Sequence, residues 1–398
     1  MTDPISYWNY PTDIYAGNNA LTVLPDACQQ HGLTKIFLVS DAGLVTLGIV
    51  GQVQAQLATA GYPTTVFDTV QSNPTTANVQ AGVSAFLASG CDGIVALGGG
   101  SVIDAAKGIA LVSRCPSGMA DFDWNMAFAK YPSLGSFPRL GLPRMVVIPT
   151  TAGTGSELSR EAVITSAQDN TKHVITHAEL LAATVILDPQ LTTGLPPHLT
   201  AATGLDALTH HLEALVSPVY HPLSAGVALE GIRLIQHNLP LAVREPNNLQ
   251  ARTQMLVASA MAAVAFQKGL GGVHAVAHAL GALHHKHHGL LNAILLPYLL
   301  DANRAAIAEP LQTLARVLDL PGDTVDDVIA WVLALRADLG IPHTLAAIGI
   351  TGEDASLVGQ RAVADISSSD TNPIAFTAEQ YAAIYLRAVH GQLNGALV

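Results

Sequence analysis

Four short apolar runs alternate with helical spacing in the first half of the chain, and this pattern leaves few folds open. The runs are Ile36-Phe37-Leu38-Val39, Thr64 to Phe67, Gly93 to Leu97 and Met145 to Ile148. Between them, stretches such as Val79 to Ala88 and Val102 to Leu111 have helical spacing. A strand that is apolar throughout must be covered on both faces. Such strands joined by helices predict a parallel sheet between helical layers. Ligands of these sheets gather at the carboxyl ends of the strands. Three of the four runs close there on polar or glycine-rich turns: Ser40-Asp41, Gly98-Gly99-Gly100 and Pro149-Thr150-Thr151.

The pattern changes after Asp188-Pro189. Gly194-Leu195-Pro196-Pro197 is a cluster of breakers. Beyond it, Leu199 to Leu215, Leu223 to His237, Ala251 to Phe266 and Val325 to Leu339 have helical spacing, and no strand signal stands out. The expectation is an α/β domain over residues 1–194 and an all-helical domain over 195–398. No repeat of fixed period and no low-complexity tract interrupts either part.

Composition narrows the function. With 49% apolar and 12% charged residues, disorder is excluded. The 18 basic against 30 acidic residues give a net charge of −12 with no basic block, which argues against nucleic-acid binding and a polybasic membrane anchor. The mean hydropathy of +0.36 invites a membrane reading. The longest apolar runs, Met255 to Phe266 and Leu290 to Leu300, fall well short of the ~20 residues a spanning helix needs. The first residues carry no charged-then-apolar signal pattern. Cys28, Cys91 and Cys115 are odd in number and form no CxxC pair, so a reduced, cytoplasmic protein is expected.

Histidines mark the candidate chemistry. Of 16 in the chain, six lie between positions 274 and 288: His274, His278, His284, His285, His287 and His288. A further pair, His210-His211, follows Asp206 in GLDALTHHLEA. Asp206 and His210 are four apart on an expected helix, so they share a face and can reach one ion. His274 and His278 repeat that spacing. His288 would stand ~21 Å from His274 on a straight helix rising ~1.5 Å per residue. If both hold one metal, the chain must break between them, and Gly281 with the HHKHH run puts the break near residues 283–287. One carboxylate with several imidazoles suits Fe(II) or Zn(II) and not an iron–sulfur cluster. The alternative for His284, His285 and His287 is a histidine-rich surface strip.

Two turns suggest a nucleotide. Asp92 to Gly108 reads as a buried strand, a three-glycine turn with Ser101, and a helix start. Glycines let backbone N–H groups approach a phosphate, and the helix N-terminus favours an anion. Pro149 to Glu157 (PTTAGTGSE) also follows a strand, yet Leu158 breaks the GxGxxG fingerprint. Its threonines serve either a nucleotide or ordinary turn capping. Asp41 ends the first strand, where a carboxylate accepts from a ribose diol or caps the next helix.

Together these motifs resemble the iron-dependent (group III) alcohol dehydrogenases. The family pattern GGGSxxDxAK stands at Gly98 to Lys107, followed by PTTAGTGSE and by AVIT at Ala162 to Thr165. GLDALTH occupies Gly204 to His210, and HGLLNAILLP occupies His288 to Pro297. NPT at Asn73 to Thr75 and NPxxxT at Asn372 to Thr377 complete the series. The resemblance runs over nearly the whole chain in the right order. It implies a dehydroquinate-synthase-like fold, with an N-terminal dinucleotide-binding domain, a C-terminal metal-binding domain and the active site in the cleft between them. It implies Asp206, His210, His274 and His288 as metal ligands, with His278 near the substrate and suited to passing a proton, since imidazole titrates near ~6.5. It implies cofactor contacts at Asp41, Asn73, Gly99, Gly100, Ser101, Asp104, Thr150, Thr151, Thr154 and Lys172, with Asp41 favouring NAD over NADP. One departure is ALHHKHH before His288, where many members have an aromatic-rich segment. It makes His284, His285 and His287 rival ligands or proton relays.

The implied reaction is hydride transfer between a small alcohol and NAD, with the metal as Lewis acid. Primary alcohols, diols and hydroxy acids are the expected substrates, and a homodimer the expected assembly. A cyclising lyase of the dehydroquinate-synthase kind is the alternative on this fold, but the sparse basic residues argue against its phosphorylated acidic substrate. A metal-storage protein leaves the two turns unexplained. Arg160 reads as an ion-pair partner of Glu157 or Glu161 rather than a substrate anchor. The aromatic segment Asp121 to Phe128 is a candidate lining of the substrate mouth or a simple cover of the sheet.

Overall fold

The computed structural model describes residues 12–114, 140–167 and 172–393. Cys115 and the segment Asp121 to Phe128 lie outside them. The chain forms two compact units. The first takes Met1–Thr151 and Gly155–Gly194, the second Ala152–Thr154 and Leu195–Val398.

In the first unit the strands are β1 (Asp13–Ala16), β2 (Ile36–Val39), β3 (Thr64–Phe67), β4 (Gly93–Gly98), β5 (Arg144–Pro149), β6 (Glu161–Thr165), β7 (Lys172–Thr176) and β8 (Thr184–Leu187). The helices are α1 (Leu24–Gln30), α2 (Ala42–Thr46), α3 (Ile49–Thr59), α4 (Thr76–Ser89) and α5 (Gly100–Val112). Six strands pair in the order β1-β8-β5-β4-β2-β3, every pairing parallel. β2 and β4 are buried along their whole length, as their unbroken apolar runs require. The chain moves outward from β2 to β3, then returns to the other side of β2 with β4. That reversal opens a crevice at the carboxyl ends of β2 and β4, the place where such sheets take ligands. Ser40 Oγ donates to Leu97 O at 2.9 Å and ties the two ends together.

The four anticipated strands are all present, but the sheet is larger than the apolar runs predict. β1 is an edge strand with all four residues exposed, so it carries no continuous apolar signal. β8 is short and fully buried, and it was hidden beside the breakers that follow it. β6 and β7 form a separate antiparallel pair. Half-buried strands of mixed residues look like loop in a sequence.

The second unit holds α6 (Pro197–Val216), α7 (Pro222–Arg244), α8 (Leu249–Ala265), α9 (Gly272–His284), α10 (His288–Asn303), α11 (Ala308–Val317), α12 (Val325–Asp338), α13 (Ala355–Ala364), α14 (Ile366–Ser369) and α15 (Ala378–His390). No strand occurs among its described residues. One apolar core joins α6 to α10, with Leu208, Leu212, Val276, Leu280, Leu291 and Leu295 at its centre. No single helix among the described residues is long and apolar enough to cross a membrane. The high mean hydropathy instead reflects helices buried all round.

Candidate metal centre and cofactor-binding turns

α6 is buried on nearly every side from Thr200 to Val216, so its polar residues must be matched inside the protein. Asp206, His210 and Glu213 stand four and three residues apart and share one face. α9 brings His274 and His278. Asn372 fixes its start: Oδ1 accepts from Gly272 N–H at 2.9 Å, while Nδ2 donates to Asn303 Oδ1 at 2.9 Å. α9 ends at His284, His285 turns left-handed at φ 52°, and α10 begins at His288 with His287 as its N-cap. This break carries the His288 ring to 5.3 Å from that of His274, centroid to centroid. A straight helix would hold them ~21 Å apart.

Four candidate donors therefore meet. His210 Nδ1 lies 3.8 Å, His274 Nε2 4.0 Å and His288 Nε2 3.7 Å from Asp206 Oδ1. Asp206, His210 and His274 each offer a ligand atom, all within 4.8 Å of one another. The first three donors are at most 5% exposed. A carboxylate buried among imidazoles is poorly solvated, and a divalent cation answers that need. The donor set thus fits Fe(II) or Zn(II). His210 Nδ1 donates to Asp206 O at 2.8 Å, which leaves Nε2 as its lone-pair nitrogen. Burial pushes His210 down to about 4, so it is the neutral imidazole that ligation requires.

Glu213 and Asp365, absent from the sequence reading, orient two of these histidines. Glu213 Oε2 accepts from His274 Nδ1 at 2.5 Å, and Oε1 accepts from Val273 N–H at 2.6 Å. Burial alone would lower His274, but the Glu213 and Asp206 carboxylates outweigh it and raise its pKa. Carboxylate–histidine pairs of this kind fix ring orientation behind a metal. Asp365 Oδ2 lies 2.7 Å from His278 Nδ1 and accepts from Ser368 Oγ at 3.0 Å. Burial works against ionisation of Asp365, yet His278 and the Ser367 and Ser368 hydroxyls hold it at about 2. The His278 ring stacks on His288 at 5.3 Å and 15°. It stands beside the donors, outside the buried trio. Helical spacing was the available signal for Glu213, seven residues after Asp206 on the same face.

The remaining histidines have other partners. His284 Nε2 pairs with Asp354 Oδ2 at 2.8 Å, His285 forms the left-handed cap of α9, and His287 accepts from Leu290 N–H as the N-cap of α10. The rival-ligand reading of these three is replaced by helix-end duties: capping, and a carboxylate contact. His211 points away from Asp206, and its Nε2 bonds Ala258 O at 2.8 Å.

Close helix approach is part of the site. A Cβ on Gly289 would fall 2.5 Å from Ala202 O and 3.1 Å from Asp206 Cβ. A backbone oxygen cannot turn aside, so Gly289→Ala must push α10 away from α6. The expected loss is about 1–3 kcal/mol, the range for overpacked cores. A lowered denaturant midpoint at unchanged slope would report it, and unaltered stability would show that the helices tolerate separation.

In the first unit, turns from four segments meet near the ends of β2, β4 and β5. Gly99 is the N-cap of α5, and a Cβ there would fall 3.2 Å from Thr151 Oγ1. Thr150 N–H donates to Gly98 O at 3.1 Å. Asn73, at a left-handed φ of 58°, donates its N–H to Ser101 Oγ at 3.3 Å. Gly100 and Ser101 open α5, whose N-terminus favours an anion. Asp41 caps α2, accepting Leu44 N–H on Oδ1 at 3.0 Å. Asp104 is engaged by the PTTAGTGSE segment: its Oδ1 accepts from Ser156 Oγ at 2.6 Å, and the charges of Lys107 and Lys172 act on it. Burial raises its pKa all the same. Lys107 is wholly buried, and its Nζ donates to Ser156 O, Ser159 O and Glu161 O at 2.6–2.7 Å. It pins the PTTAGTGSE segment, while burial brings it down to about 8. Burial raises the Glu161 pKa, and the charge of Arg160 works against that shift. Thr154 groups with the second unit, apart from Thr150 and Thr151.

The comparisons with known proteins agree with this arrangement. The iron-containing alcohol dehydrogenase model matches residues 11–189, and the C-terminal model of the Fe-containing alcohol dehydrogenase family matches residues 200–389. The chain is 36% identical to 1,3-propanediol dehydrogenase of Klebsiella pneumoniae, covering 95% of this chain and 97% of the relative. A solved 1,3-propanediol oxidoreductase superposes with a TM-score of 0.89 at 37% identity, over 96% of this chain and 100% of that one. Sulfoacetaldehyde reductase from Bifidobacterium kashiwanohense, solved with NAD+, superposes at 0.86 with 25% identity, over 98% and 100%. These matches do not favour the lyase alternative. The chain belongs to the iron-containing alcohol dehydrogenase family and is an oxidoreductase of that type.

Proposed function

We propose that this chain interconverts a small alcohol (a primary alcohol, diol or hydroxy acid) and its aldehyde or ketone, with NAD(H) as the hydride carrier. Asp206, His210, His274 and His288 would hold Fe(II), with Zn(II) as the alternative ion. The convergence of these four side chains carries the reading. When bound, the ion supplies Lewis acidity toward an alcohol oxygen and the nicotinamide accepts hydride. Every other contribution belongs to the protein. Asp206 is the single anionic donor, and Glu213 holds His274 in register through Nδ1. His278 takes a hydroxyl proton at Nε2, because Asp365 already engages Nδ1 and fixes the ring.

In the first unit, Asn73, Gly99, Gly100 and Ser101 would receive the pyrophosphate, supported by the turn geometry and the α5 N-terminus. Thr150, Thr151, Thr154 and Lys172 would supply further cofactor contacts, and Asp104 would act through Ser156. Asp41 would accept from the ribose diol and repel a 2′-phosphate. The site of action we propose is the cytoplasm, supported by the free thiols of Cys28 and Cys91. Assembly as a homodimer rests on the family resemblance.

The test is an absorbance assay of NADH formation on metal-stripped protein reconstituted separately with Fe(II) and Zn(II). Short alcohols, diols and hydroxy acids are offered in turn. Turnover is expected only with an ion restored, and faster with NAD than with NADP. Full activity in stripped protein, or none with any pyridine nucleotide, would defeat the proposal.

A further inference from the structure

Lys107 is wholly buried in the middle of α5, and no step of the reaction above uses its charge. Its Nζ donates to Ser156 O at 2.6 Å, Ser159 O at 2.7 Å and Glu161 O at 2.7 Å. An ammonium has three hydrogens, so the three carbonyls use all of them. A neutral amine has two, and its lone pair would face the third oxygen. Those carbonyls belong to the stretch that runs on from Thr150 and Thr151, while the first turn of α5 carries Gly100 and Ser101. Between the two turns there is little slack, since a Cβ on Gly99 would fall 3.2 Å from Thr151 Oγ1. Lys107 therefore ties one cofactor turn to the helix that opens with the other.

Its surroundings leave the ammonium finely balanced. Burial brings Lys107 down to about 8, while the carboxylates of Asp104, Glu161 and Glu157 work the other way. Asp104 stands on α5 itself and Glu161 on β6. Glu157, on the short helix Ser156–Leu158, is buried with Oε1 unpartnered, and burial pushes it up to about 7. Further out, Lys172 acts on Asp104 and Arg160 on Glu161. The short helix Ala178–Leu180 adds Glu179, whose carboxylate accepts from Leu140 N–H at 2.9 Å, and its cap His177, whose Nδ1 accepts from Glu179 N–H at 3.1 Å. α4, β2 and β4 carry no charged residue, and Arg144 is exposed at the start of β5. We propose that Lys107 is a positioning residue whose proton holds the two cofactor turns at the separation NAD(H) needs, an inference that rests on the cofactor-turn reading above. Because the charged form makes the clamp, cofactor affinity is full below the Lys107 pKa and falls as pH rises through it. By linkage, bound NADH raises that pKa.

NADH is the probe, and its fluorescence on binding is the readout. Affinity is measured for the wild type, Lys107→Met and Glu157→Gln from about pH 6.5 to about pH 9.5, a span that brackets the Lys107 pKa. Wild-type affinity is expected to fall about tenfold across it, within the usual range of coupled equilibria. Lys107→Met is expected to bind weakly at every pH. Glu157→Gln is expected to keep the fall, displaced to lower pH, because one carboxylate that favours the ammonium is gone. A level wild-type affinity, a fall that survives in Lys107→Met, or a fall that vanishes in Glu157→Gln overturns the proposal. If Lys107→Met does not fold, the wild type decides: Lys107 Nζ is titrated by nitrogen NMR with and without NADH, and a titration that NADH leaves in place overturns the proposal. A wild-type chain that binds no NADH at any pH would remove the cofactor reading itself, so the two failures are distinct.

Discussion

Asp206→Ala is expected to leave a protein that purifies without a divalent ion and does not turn over alcohols. Asp206 is the only carboxylate among the four candidate donors, and three of them measure their distance from its Oδ1. Three imidazoles remain after the change, with no anionic donor to offset the cation. Lewis acidity contributes several kcal/mol to such reactions, and each 1.36 kcal/mol is tenfold in rate. The fall in turnover should therefore reach about a thousandfold or more. Metal analysis and the NADH assay, made on the same preparation, check both halves. Turnover by metal-free Asp206→Ala protein would refute the role of the ion. Thermal unfolding of the metal-free wild type and variant separates this outcome from misfolding, and Asn292 loses its shortest contact in the variant.

The second large effect concerns a residue that touches no ion. Glu213→Ala removes the acceptor of both His274 Nδ1–H and Val273 N–H. His274 is then free to rotate or to change tautomer, and Nε2 no longer points reliably at Asp206. Carboxylates behind a ligating histidine contribute about 10–100-fold to metal affinity, and a loss of that size is expected for Fe(II) or Zn(II). Glu213→Gln keeps an acceptor without the charge and should fall between the wild type and Glu213→Ala. Chelator competition measures the series. Equal affinity in all three proteins would mean that the α9 backbone alone orients His274. The distinction matters because the Asn372 bridge also fixes the start of α9.

Much of this architecture was legible beforehand. β2, β4 and β5 announce themselves as unbroken apolar runs because both their faces are covered. The helices after Pro197 show their period because each turns a broad face to one core. The break between His274 and His288 was legible for a geometric reason: two residues so far apart on a rod cannot share an ion. β1, exposed at the sheet edge, left no comparable trace. Asp41 illustrates a different limit, because a helix cap and a ribose acceptor use the same carboxylate at the same strand end.

What the residue order determined by itself was local and periodic: which segments are strands, which are helices, where glycines permit close turns, and which residue types are gathered for metal chemistry. Those properties follow from neighbours within a few positions, so they survive without a fold. Tertiary structure alone decided which histidines share a point. His274 and His288 turn inward with Asp206, while His284 reaches Asp354, seventy residues along the chain. It also decided the supporting partners, joining Glu213 to His274, Asp365 to His278 and Asn292 to Asp206 across 61, 87 and 86 residues. Such pairings depend on how helices cross and how closely a glycine lets them approach, and no local pattern encodes that distance.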